Sequence, residues 1–261
     1  MHITNIKTGL ISVPLRTPFK TSLRTIDSIK SVVVAVETDA GITGIGEAHP
    51  TGPITGESIG SVRGAIHEFM LPKLKGKEIA NLEDTLNTLD GSMVKNTSAK
   101  AAVEMAIYDL FGKKYQIPLY RLLGGYRNQV ETDLTISVNS PEEMARDSRI
   151  AIDRGFRILK LKVGLNPALD IERIMAVKEA CGPMTILRLD ANQGWSARDA
   201  VKIMHEIESE ISGIELLEQP VLAHDLEGLR MVKESIETPV LADEAVFSAI
   251  DAEKIISMGA A

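Results

Sequence analysis

From residue 130 onward the chain repeats one pattern: a short apolar run, a polar turn, then a stretch with helical spacing. We read strands at 130–138, 157–163, 186–192, 214–220 and 239–244, with helices at 141–154, 168–181, 196–208, 225–235 and 248–258. Strands that alternate with helices build parallel βα units, because parallel neighbours need a crossover and a helix supplies one. Polar residues gather at the C-terminal ends of these strands, the face on which a (β/α) barrel carries its site. A doubly wound open sheet is the alternative, and the absence of a Gly-rich loop after the first strand counts against it.

Before residue 125 the pattern differs. Strands at 2–13, 31–38 and 42–48 form a meander, with Asp39-Ala40-Gly41 as the hairpin turn between the last two. Helices follow at 58–70, 81–92 and 98–115, the last capped by Ser98. The expected fold class is α/β: an α+β capping domain over residues 1–125, then a (β/α) barrel domain over 126–261. A closed barrel of this kind needs about eight strands. This chain supplies five, so we expect a partial barrel and a C-terminally incomplete chain.

Composition excludes several classes. The 261 residues carry a net charge of -7 with no basic stripe, which argues against a nucleic-acid partner. No apolar run approaches the ~20 residues of a membrane span, and the N-terminus lacks the layout of a signal peptide. A lone cysteine, Cys181, leaves no internal disulfide and fits the cytoplasm.

The chemistry sits at the strand ends. In RILKLKV, Lys160 and Lys162 share a face with Ile158, while Leu159, Leu161 and Val163 face the helices. An edge strand with a solvated lysine face is the plain reading. The sharper one is a proton-abstracting base, Lys162, with Lys160 beside it, since buried lysine is rare without a purpose. Asp190 in RLDANQ, Glu218 in LLEQP and Asp243 in LADEAV then come one to a strand. Converging carboxylates are costly without a cation, and oxygen donors point to Mg²⁺. Asn192 shares the face of Asp190; Glu215 falls on the face opposite Glu218; Asp243 is preferred to Glu244 because it shares parity with Leu241. A lysine base with a carboxylate-held metal suits proton abstraction beside a carboxylate, the metal stabilising the enediolate that forms.

These residues resemble the enolase superfamily, in its muconate-lactonizing branch. The pattern is Lys160-Leu161-Lys162, then Asp190, Glu218 and Asp243 on the next three strands, behind a capping domain. PFKTSLRTI, GIGEAHPTGPITGES, SAKAAVEMAIYDL, LLGGYRNQVETDLTISVNSPEEMA, RLDANQGW and LLEQPV resemble the dipeptide epimerases of the L-Ala-D/L-Glu kind. The resemblance implies that Lys162 is an acid/base catalyst with Lys160 as its electrostatic partner. It implies Mg²⁺ on Asp190, Glu218 and Asp243, and a small dipeptide substrate. Arg24, in a mobile loop at 15–29, would pair with the substrate's glutamate carboxylate, and Thr135 and Asn192 would lie near the substrate. Phe19, Ile54 and Thr55 would close the pocket. A homo-oligomer is expected. The family's second catalytic lysine lies beyond the five strands read here, so half of the acid/base machinery is in view. A muconate cycloisomerase or o-succinylbenzoate synthase-like enzyme shares the lysines and acids without needing Arg24. An inactive truncated product is the third reading.

Overall fold

The computed structural model describes residues 1–261, which divide into two compact units. Met1–Arg16 and Asp27–Val130 form the first; Thr17–Ile26 and Glu131–Ala261 form the second.

The first unit carries a sheet of order β1-β2-β3: β1 (Ile3–Lys20), β2 (Thr25–Thr38) and β3 (Thr43–Ala48). β1 and β2 run well past the expected 2–13 and 31–38. β1 tolerates Pro14 and Pro18 because it is an edge strand, where a missing N–H need cost no ladder bond. The expected loop at 15–29 is therefore a β-hairpin whose tip is closed by Thr21 N donating to Arg24 O at 2.9 Å. Helices α1 (Gly52–Thr55) and α2 (Ile59–Gly64), a π-helical turn at Ala65–Met70, α3 (Leu71–Leu74), α4 (Leu82–Asp90), α5 (Thr97–Tyr115) and α6 (Leu119–Leu122) follow. Against the sheet, α5 packs closely enough that a Cβ on Gly46 would stand 1.9 Å from Ala102 O, so only glycine fits. Ser98 is not the cap of α5. Its N–H and hydroxyl both donate to Glu57 Oε2, so a carboxylate from elsewhere in the unit satisfies this helix start.

The second unit holds β4 (Leu134–Ile136), β5 (Ile158–Lys162), β6 (Ile186–Asp190), β7 (Ile214–Glu218) and β8 (Val240–Leu241), parallel and in sequential order. Between and after them come α7 (Pro141–Asp153), α8 (Pro167–Cys181), α9 (Ala197–Glu210), α10 (Leu226–Ser235) and α11 (Ala249–Met258). Five of these starts follow one rule: Ser140, Asn166, Ser196, Asp225 and Ser248 each accept from a backbone N–H in the first turn. Leu159, Leu161, Val163, Leu187, Leu189 and Leu217 are buried in one core with Ile174, Val177, Ile203 and Leu229 of the helices. That apolar face leaves the other face of the strands to Lys160, Lys162, Asp190 and Glu218. β4 and β8 are shorter than the expected 130–138 and 239–244. No helix of the chain is long and apolar enough to cross a membrane.

Candidate active site

Register builds the site. Lys162 pairs with Asp190 across β5 and β6, and Asp190 with Glu218 across β6 and β7. Neighbouring parallel strands lie about 4.8 Å apart, so matched residues on one face must touch. Lys162 Nζ donates to Asp190 Oδ2 at 2.5 Å. Lys160 Nζ reaches the same oxygen at 2.9 Å and Glu218 Oε1 at 2.7 Å. Asp190 is fully buried, so a charge here needs partners, and the side chains of Lys160 and Lys162 supply them.

The electrostatics follow from this sharing. Burial opposes the Lys160 ammonium, but the hydrogen bond to Glu218 and the charge of Asp190 outweigh it and raise its pKa above the ordinary lysine value. Lys160 is thus held protonated by carboxylates. Burial also works against the Asp190 carboxylate, yet the lysines overcome it and hold its pKa below the usual range. Glu218 moves the other way: burial raises its pKa, the Lys160 hydrogen bond only partly offsets that, and the charges of Asp190 and Asp243 add to the rise. The two lysines therefore favour Asp190, which binds both, over Glu218, which binds one.

The backbone turns sharply just past these strands. Asn192, Gln193 and Gln219 have φ of 43°, 68° and 35°, a region that side chains rarely adopt. Such strain collects at functional sites. Asn192 N donates to Asp190 Oδ1 at 2.9 Å, and buried Gln219 accepts at Oε1 from Asp243 N and Ala245 N. Gln219 thereby fixes the turn after β8.

That turn alters the reading of Asp243 and Glu244. Strand alternation ends at Leu241, so parity says nothing about either acid. Asp243 is exposed, while Glu244 is 4% exposed and accepts from Asn192 Nδ2 at 3.2 Å. Burial raises the pKa of Glu244, against the Asn192 hydrogen bond. In this arrangement no three acidic, histidine or cysteine side chains converge to grip a metal ion. The donor set nevertheless suits a hard divalent cation: all three acids offer oxygen, and Asp190 and Glu218 already share positive charge.

Glu215 is exposed and ion-paired, although parity is uninformative there. The register between β6 and β7 shifts at Leu187/Arg188, so Glu215 is an extra residue in a bulge. It bonds Arg188 Nε, and Arg188 also reaches Asp133 at 2.9 Å.

Thr135 on β4 is half-buried and registers with Lys160. Phe19 and Arg24 lie half-buried in the hairpin tip, part of the second unit. Ile54 and Thr55 end helix α1 of the first unit. Sequence reasoning set Glu244 aside in favour of Asp243 and missed Gln219 and Ser22; all three bond the segments that follow the strands. Only the polar run after each strand hinted at them.

Comparison with known proteins gives the lineage. Residues 5–124 match the mandelate racemase / muconate lactonizing enzyme N-terminal domain, and residues 143–261 match the enolase C-terminal domain-like family. The L-Ala-D/L-Glu epimerase of Clostridium acetobutylicum is 50% identical over 100% of this chain and 73% of its own length. A substrate-liganded complex of the L-Ala-D/L-Glu epimerase from Bacillus subtilis superposes with a TM-score of 0.98 at 46% identity, over 100% of this chain and 73% of that one. A dipeptide epimerase from Enterococcus faecalis, complexed with Mg and L-Leu-L-Tyr, gives 0.95 at 39% identity over 100% and 73%. Matched in both halves, the chain belongs to the mandelate racemase / muconate lactonizing enzyme family of the enolase superfamily.

Proposed function

We propose that this chain is a dipeptide epimerase of the L-Ala-D/L-Glu type, an isomerase in which Lys162 removes the α-proton of the dipeptide's C-terminal residue. One observation carries the reading: two lysines stand side by side on β5, both within 2.9 Å of Asp190 Oδ2. A purely structural ion pair needs one.

The Cα–H bond breaks, the proton passes to the lone pair of Lys162 Nζ, and the electron pair spreads into the adjacent carboxylate. Inversion needs a proton delivered to the opposite face, the role that the resemblance gives to a second lysine beyond the five strands. Lys160 stays charged, because Glu218 and Asp190 hold it so, and it places positive charge beside the reacting carbon. Asp190, Glu218 and Asp243 are the residues that would hold Mg²⁺, which when bound supplies charge to offset that building on the substrate carboxylate. Arg24 suits the glutamate carboxylate of the substrate through its planar fork of donors. In this reading Thr135, Asn192 and Phe19 contact the dipeptide. The reading includes a cytoplasmic homo-oligomer, which sedimentation velocity tests.

The experiment is α-proton exchange of L-Ala-L-Glu in D₂O with Mg²⁺, followed by NMR. Deuterium should enter at the glutamate Cα, and Lys162→Ala should abolish it. No uptake by the wild type, or equal uptake by the variant, overturns the proposal.

A further inference from the structure

The tip of the β1–β2 hairpin, Thr17–Ile26, is built into the second unit through two separate seats. The first is on the end of β4. Lys20 N donates to Ser137 Oγ at 3.2 Å, Val138 N donates to Lys20 O at 3.2 Å, and Lys20 Nζ donates to Asn139 Oδ1 at 2.7 Å. The second is on the loop after β6, where Ser22 Oγ lies 3.0 Å from both Ala191 O and Asn192 O.

In the sheet, β5 lies between β4 and β6. Two strand spacings are about 10 Å. The step from Lys20 to Ser22 covers about 7 Å of extended chain, and the serine side chain supplies the rest. The tip therefore crosses the C-terminal end of the strand that carries Lys162.

Ser22 seats on a residue that is itself a junction. Asn192 takes φ of 43°, donates its N–H to Asp190 Oδ1 at 2.9 Å and its Nδ2 to Glu244 Oε1 at 3.2 Å. Asn192 Oδ1 and Glu244 Oε2 are buried without a partner, so this junction is not held by its own bonds alone. Of the two carbonyls that Ser22 grips, that of Ala191 shares its peptide unit with the Asn192 N–H, so moving it rotates the group that orients the Asp190 carboxylate.

We propose that Ser22 is a positioning residue: seating of the hairpin tip and orientation of the Asp190 carboxylate are one coupled event, joined through Asn192. This rests on the reading of Asp190 as a metal-holding acid. Coupling between two sites is reciprocal, with typical strengths of about 5–150-fold.

The test uses the full chain with Mn²⁺ as the probe. Binding is followed by the EPR signal of free Mn²⁺, and seating by hydrogen exchange of the peptide covering residues 19–26. In the wild type, Mn²⁺ should slow exchange of the tip about fivefold or more. Ser22→Ala should lose that slowing and bind Mn²⁺ more weakly by a similar factor. Ser22→Thr, which keeps the hydroxyl, should restore both. Absence of Mn²⁺ binding in the wild type overturns the metal reading and this inference with it. Binding without a change in tip exchange, or slowing that persists in Ser22→Ala, overturns the coupling alone.

Discussion

Lys160 Nζ lies 2.7 Å from Glu218 Oε1 and shares Asp190 Oδ2 with Lys162, so one ammonium bridges acids from two strands. This bridge competes with any divalent cation for the same oxygens. Like charges about 4 Å apart repel by about 1–4 kcal/mol at effective dielectrics between water and a protein surface. Lys160→Met should therefore tighten Mn²⁺ binding by about tenfold, since each 1.4 kcal/mol is a factor of ten. The same change removes the positive charge beside the reacting carbon and should slow α-proton exchange about 100-fold or more. Titration of Mn²⁺ by EPR and exchange in D₂O read the two effects. Weaker metal binding in the variant would mean that Lys160 supports the acids rather than competing for them.

Glu244 gives a pH dependence. Its folded pKa is raised, chiefly by burial, above the ordinary 4.5. The folded state then binds more protons than the unfolded state once pH exceeds 4.5, so the stabilisation is full below that point and is lost as pH rises through the folded pKa. Asp190 opposes this, since its pKa is lowered and its contribution is lost as pH falls below 3.8. Glu244→Gln removes the first effect. Its amide still accepts from Asn192 Nδ2 and brings a donor for the unpartnered Asn192 Oδ1. Urea unfolding of the metal-free protein should show the variant more stable than the wild type at pH 7, with the gap closing by pH 4. A gap that stays constant with pH would show that Glu244 does not titrate in the folded chain.

Gly164 follows Lys162 by two residues at φ of 98°, and a Cβ there would stand 2.2 Å from Ala191 O. Its N–H donates to Asp170 Oδ2 at 2.9 Å, an oxygen that also accepts from Trp195 Nε1 at 2.9 Å. Gly164→Ala adds backbone strain and a steric clash in a segment tied down on both sides. We expect a loss of about 2–4 kcal/mol in urea unfolding. A loss under about 0.5 kcal/mol would mean that the loop after β5 shifts freely.

Much of this was legible from alternation alone. Lys160, Lys162, Asp190 and Glu218 follow from period-two spacing in strands whose other face is apolar, because burial leaves no second register. The same rule carries no information where the strand stopped or bulged. Glu215 sits in a bulge, and Asp243 and Glu244 lie past a strand of two residues, so parity had no meaning there. The segment at 15–29 reads as a loop rather than a β-hairpin for another reason. Pro14 and Pro18 mark loops by local propensity, and only the position of β1 at a sheet edge makes them compatible with a strand. Long-range partners such as Ser22 with Asn192, 170 residues apart, leave no local trace in a single sequence.

Arg24 offers the sharpest test of substrate choice. It lies half-buried in the hairpin tip, and none of the chain's ion pairs uses it. A guanidinium held partly out of water without an acidic partner gains most from a carboxylate that arrives with a ligand. Arg24→Ala should lower kcat/KM for L-Ala-L-Glu by about 10–100-fold, the scale of one charge-assisted contact of about 1.5–3 kcal/mol. The loss should fall mainly in KM, because a contact far from the reacting carbon is made equally in ground and transition states. Dipeptides with an uncharged C-terminal residue should change by less than threefold. Equal losses for charged and uncharged substrates would assign Arg24 to seating the hairpin tip, and the selectivity for glutamate would then have to come from another residue.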